Sequence, residues 1–161
     1  MIRINLSSVE VIEKLQQASK ELSDLEPLYS SIAELVVQST KERFATGVAP
    51  DGTKWRPKSA TTLARYEAQG LKGKTRPLVK QGFLRSLIFA DADRSQARVG
   101  SNMEYSGVMQ FGAARGAFGH SNGRPVPWGN IPARPFLGLS DQDQRNILDM
   151  VDETLADITE M

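Results

Sequence analysis

Residues 84–100, LRSLIFADADRSQARVG, carry the pattern that decides the fold class. The apolar run Leu84, Leu87, Ile88 and Phe89 enters Asp91-Ala92-Asp93-Arg94-Ser95, where short polar side chains favour a turn by bonding to nearby backbone. Gln96-Ala97-Arg98-Val99-Gly100 follows as a return strand, so the segment reads as a β-hairpin within a unit running from Leu78 to Ser101. Amphipathic helical patterns lie on both sides of it. The expected architecture is therefore α+β: a small antiparallel sheet packed against two or three amphipathic helices, with long extended loops. At 161 residues the chain, 1–161, fits a single domain, because two halves would scarcely bury a core each.

Toward the N-terminus, Ile2, Ile4 and Leu6 alternate with polar neighbours in the period of a short half-buried strand. Ser7 and Glu10 form a capping-box pattern, and Val11, Leu15, Ala18 and Leu22 continue it as one helical stripe. A second helix begins near Pro27, whose fixed φ suits a first turn, and stops at Gly47. Its buried face is expected at Leu28, Ile32, Leu35, Val36 and Ser39, with Phe44 on or near it. Shorter helices are expected from Ser59 to Gln69 and from Tyr105 to Phe111. The last helix opens with Ser140 as N-cap and Asp143 at N3, with Asp141 and Asp143 suiting its positive end. Its apolar stripe is Ile147, Val151, Leu155 and Ile158, with Leu148 beside it.

Between these elements the texture is loop-like. Pro50-Asp51-Gly52 is a turn signal that leads into the exposed-looking Lys54-Trp55-Arg56-Pro57-Lys58. Leu71 to Pro77 reads as a basic loop, and 112–131 is rich in Gly and Pro. Mobile segments are expected at about 48–58, 70–77 and 113–131. Ile131 to Leu139 holds Pro132 and Pro135 and is expected to be extended at a sheet edge, since proline cannot donate to a ladder.

Charge is divided along the chain although the net is only +1. Residues 41–80 carry ten basic and three acidic groups, whereas 140–161 carry one basic and seven acidic. A basic middle and an acidic end can neutralise each other within one fold or between neighbouring copies, or the middle can contact nucleic acid. No stretch approaches the roughly 18–20 apolar residues that span a bilayer, and the N-terminus lacks the pattern of a signal peptide. A protein made in a cytoplasm, without a membrane partner, is expected.

Catalytic constellations are hard to find. The chain has no cysteine, which removes thiolate metal sites and cysteine nucleophiles. His120 is the single histidine and lies in a Gly-rich loop without a partner pattern that could orient it as a base. Asp91-x-Asp93 and Asp141-x-Asp143 are better explained as turn and cap chemistry than as metal ligands, and no phosphate-binding glycine pattern occurs. The expected reading is no enzyme and no cofactor. Trp55 reads either as a cover on the core or as part of a contact surface, and Pro132 to Gly138 either as a capped edge or as an edge presented to another chain.

Several segments together resemble the phage virion morphogenesis family, the tail-completion proteins related to the S protein of P2-like phages and the G protein of Mu-like phages. They are Arg43-Phe44, Pro50 to Trp55, Leu78 to Ile88, Val99-Gly100-Ser101, Tyr105 to Gly112 with Gln110-Phe111-Gly112, and Ile131 to Gly138. Met109 stands where the family pattern leads one to expect His before the Gln. The resemblance implies a structural protein of a tailed bacteriophage that completes the tail or joins head to tail. It would act as a self-assembled ring at the neck, expected as a hexamer, built in the host cytoplasm against connector or stopper and tail-tube proteins. Combined with the charge division, it suggests that Lys54, Arg56, Lys58, Lys72, Lys74 and Arg76 face a neighbour's acidic surface or a lumen that DNA passes through. Trp55, Arg134, Phe136, Asp141 and Asp143 complete the candidate contact set. The alternative is a basic nucleic-acid-binding module that uses 41–80, with Trp55 and Tyr66 as stacking groups.

Overall fold

The computed structural model describes Lys20, Leu22 and residues 24–160. The strand expected at 2–6 and most of the helix expected after it lie outside the described residues. From there the order is α1 (Glu26–Thr46), α2 (Ala60–Ala68), α3 (Phe83–Ser86), β1 (Ile88–Asp93), β2 (Gln96–Ser101), α4 (Ser106–Phe111), β3 (His120–Ser121), β4 (Arg124–Pro125) and α5 (Asp141–Glu160). The fold is α+β, as the hairpin pattern indicates.

The long helix α1 is the spine. Pro27 sits in its first turn, and Gly47 ends it at φ 73°, where a residue without Cβ fits a left-handed cap while its N–H bonds the Arg43 carbonyl at 2.7 Å. The β1–β2 hairpin packs on one side of α1 and α5 on another. Two strands alone are marginal in water, so the hairpin depends on the helix beneath it. Because α1 has partners on two sides, its fully buried positions are Ala33, Val36, Thr40, Arg43 and Phe44, a wider and more polar set than the expected stripe. Leu28, Ile32, Leu35 and Ser39 are only half-buried.

The hairpin is tighter than its sequence suggests. Residues 83–86 form a helical turn with Leu84 buried beneath it, and strand pairing starts at Ile88. Asp91 remains in the ladder opposite Arg98, to which it is ion-paired at 2.9 Å. The loop itself is only Arg94-Ser95. Asp93 closes it by accepting from the Ser95 N–H at 2.8 Å and the Ser95 hydroxyl at 2.6 Å. Hydrogen bonds from the Ser95 hydroxyl and backbone, then from Gln96, hold the Asp93 carboxyl down at about 2.

Two expectations about loops need correction. Residues 113–131 form a folded arm, closed at its base by the Ala113–Ile131 bridge and further out by Gly116 N–H to Pro127 carbonyl at 2.8 Å. Its tip is the β3–β4 hairpin, with His120 opposite Pro125 and Ser121 opposite Arg124. Asn122 and Gly123, at φ 50° and 74°, supply the doubly left-handed turn that two-residue hairpins need. Residues 132–138 are not a sheet edge. They run along the core as a strap that turns Arg134 and Phe136 inward, with Phe136 0% exposed and in the same cluster as Phe44, Ala49, Trp55, Leu84 and Ile88. The Phe44 ring meets Trp55 edge-on and Phe136 at a tilt, each at 5.5 Å between centroids. Gly112 faces the strap so closely that a Cβ there would lie 2.7 Å from the Ile131 carbonyl oxygen and the Ala133 nitrogen.

Phe136→Ala is expected to cost about 3–5 kcal/mol in urea denaturation, as a large side chain leaves a closed core. Gly112→Ala is expected to cost about 1–3 kcal/mol through its left-handed backbone and the backbone clash. Losses near zero for both would mean that the strap lies outside the core.

Candidate functional site

The strap has few partners of its own kind, because Pro132 and Pro135 carry no N–H. Side chains from three regions bind it instead. The Trp55 indole N–H donates to the Pro135 carbonyl at 2.7 Å. Gln110 is used twice over: its Oε1 accepts from the Phe136 and Leu137 N–H groups at 2.9 and 3.0 Å, and its Nε2 donates to the Leu137 carbonyl at 2.9 Å. Arg43 donates from Nη1 to the Phe136 and Gly138 carbonyls at 3.0 and 2.8 Å. Four successive carbonyls, Pro135 to Gly138, are thereby satisfied without a ladder.

Arg43 also reaches α5. Its Nη2 donates to Asp143 Oδ2 at 2.5 Å and to Ser39 Oγ at 3.0 Å, with Arg43 and Asp143 both buried. Asp143 in turn accepts from the Ser140 N–H and hydroxyl, both at 2.8 Å, while its own N–H donates back to Ser140 Oγ at 3.2 Å. The cap of α5 and the core ion pair are thus one unit. Burial is the strongest influence on Asp143 and opposes its charge. The Ser39 and Ser140 hydrogen bonds and Arg43 together outweigh it and hold the carboxyl below the ordinary carboxylate value. Burial also pulls the Arg43 pKa down, while Asp143 pushes it back up.

Beside this core lies an open cleft of about 970 Å³ between the 56–66 segment, residues 78–84, α4 and the 127–134 stretch. Its floor is apolar, with Leu78, Leu84, Met103, Met109 and Ile131. Among the described residues, its walls carry five cations, Arg56, Lys58, Arg65, Lys80 and Arg134, and no carboxylate. Arg134 is fixed there by donating to the Arg56 carbonyl at 2.7 Å and the Pro57 carbonyl at 3.0 Å. Lys58 Nζ donates to the Lys74 and Val79 carbonyls at 2.5 and 2.6 Å and lies 4.6 Å above the centre of the Tyr66 ring. The Lys58 pKa is lowered, first by burial and then by the nearby charges of Arg134 and Lys74. Trp128 stands at the rim, 68% exposed.

The candidate contact residues therefore divide three ways. Arg56, Lys58 and Arg134 meet in the cleft, although Arg134 is itself buried. Lys54, Lys72, Lys74 and Arg76 are exposed outside its lining, and Asp141 is exposed at the start of α5. Trp55, Phe136 and Asp143 are interior groups that hold this protomer together, which leaves their side chains no surface to offer a neighbour. The same burial, with Trp55 only 6% exposed, removes it as a stacking platform for bases. The 48–58 segment is tied down by the Val48–Lys54 bridge and the buried Ala49. Sequence reasoning missed Arg65, Lys80 and Trp128 as cleft groups and Gln110 as a strap clamp. The single histidine, His120, is exposed on β3.

Comparison with known proteins places the sequence among phage proteins. The sequence model of the phage virion morphogenesis family matches residues 6–156. The chain is 29% identical over 154 residues to Mu-like prophage FluMu G protein 2 of Haemophilus influenzae, covering 95% of each chain. It is 30% identical over 122 residues to the putative capsid assembly protein G of Escherichia phage Mu, covering 74% of this chain and 72% of that one. No solved structure matches.

Because the folded-state pKa of Asp143 is lowered, the stability it contributes is complete above its unfolded value of about 4 and is lost as pH falls through the lower folded value. Asp143→Asn is expected to cost about 3 kcal/mol at pH 7 by leaving Arg43 without its charge partner. Below about pH 4 the gap between variant and wild type should narrow. A gap that stays constant to pH 2 in urea titrations would contradict the pairing.

Proposed function

The chain belongs to the phage virion morphogenesis family, and from its place in phage assembly we propose that it completes the tail or joins head to tail as a ring at the neck. It acts as a structural subunit and turns over no substrate. The observation that carries the reading is the division of labour in the molecule. The polar groups gathered in its interior, Arg43, Gln110, Trp55 and Asp143, are committed to the strap and the cap, while its outside carries a basic apolar cleft and an acidic helix. A ring closes through a heterologous interface, which needs two different and complementary surfaces on each copy. A virion location follows, with assembly in the host cytoplasm and contacts to the connector or stopper above and the tail tube below. DNA would pass through the lumen.

A second reading, a nucleic-acid-binding module, draws on the five cleft cations. It has lost Trp55 as a stacking group.

The test is removal of the gene from a phage or prophage that encodes this chain. Heads and tails are expected to accumulate unjoined, and purified protein should join them in the extract. Full yields of joined, infectious particles without it would contradict the proposal.

A further inference from the structure

Resting on the neck-ring reading, we infer that the cleft is the acceptor half of the subunit interface and that the outer face of α5 of a second copy is the donor half. The cleft combines an apolar floor with cationic walls, so its occupant must be apolar along its centre and acidic along its flanks. Leu78, Met103 and Met109 pack against the core on one side, and phosphate groups would leave the sides that face the cleft uncovered, which favours a protein segment over a nucleic acid. The outside of α5 meets this along one side, where carboxylates edge its exposed leucines. Leu148 is 61% and Leu155 45% exposed, and at seven residues apart they lie on one stripe two turns apart. Exposed Asp141 and Asp152 lie on that stripe and Asp149 at its edge, with Arg145 as its one cation. Among the described residues no α5 side chain lines the cleft, so this helix is not its occupant within one copy. Between copies the two surfaces generate a head-to-tail contact, which is the type that closes into a ring.

The charges allow a test by exchange. One variant carries Arg65→Glu and Lys80→Glu in the cleft; the other carries Asp149→Lys and Asp152→Lys on α5. All four side chains are exposed and stand apart from the Arg43–Asp143 core. Each variant alone is expected to need on the order of 100-fold more protein to assemble, because like charges then face each other. An equal mixture should restore wild-type assembly, as each reversed surface meets a complementary one in the other variant. Particle mass is read for free protein and for protein on purified tails. Wild-type assembly that neither variant disturbs, or variants that fail without mutual rescue, would overturn this interface and leave the neck-ring reading standing. The same holds if the cleft variant loses only affinity for DNA. A wild-type chain that assembles neither alone nor on tails would take both readings down.

Discussion

One buried guanidinium holds three parts of the molecule together. Arg43 lies in the last turns of the spine helix and bonds the strap carbonyls of Phe136 and Gly138 and the Asp143 carboxylate that caps the C-terminal helix. A planar cation with five donors can serve two carbonyls, a carboxylate and a hydroxyl at once, which a lysine ammonium cannot do. Burying that charge is tolerable only because each direction meets an acceptor. The strap and the start of the last helix are tied to the spine through this arrangement.

The strap explains why the quoted resemblance is scattered through the chain. Arg43, Trp55, Gln110 and Gly112 are far apart in sequence, yet each touches the 131–138 segment, three by hydrogen bonds and one by lacking a Cβ. Prolines on either side of Ala133-Arg134 remove ladder donors. The carbonyls that remain exposed to the core must therefore be met by long polar side chains from elsewhere. The order and spacing of these residues reflect a way of building a core.

Helix ends and hairpin were legible in the sequence because their signals are local. Pro27, Gly47 and Ser140 with Asp143 act within one turn of themselves, and Asp93 closes its own loop. The fate of Pro132 to Gly138 was not legible, because proline-bounded extended chain looks alike at an edge and in a core, and only the distant Arg43, Trp55 and Gln110 decide between them. Asn122-Gly123 is a strong turn signal, but its flanks, His120, Ser121, Arg124 and Pro125, lack the alternating apolar residues that mark a hairpin. In α5 the stripe was read from spacing alone; Ile158 is buried as expected, while Leu155 is turned largely outward. The basic middle was visible as a charge run, whereas the cleft joins part of it to Trp128 and Arg134 from later in the chain.

Arg43, Trp55, Gln110 and Asp143 are committed to structure, and the proposed contacts fall to a surface that is basic and apolar at the cleft and acidic along α5. A reconstruction of the neck of a phage that encodes this chain tests the claim most directly. A ring of this chain between head and tail, in which α5 of each copy lies in the cleft of the next, is the expected result. A neck from which the chain is absent, or a ring whose contacts avoid both the cleft and α5, contradicts it.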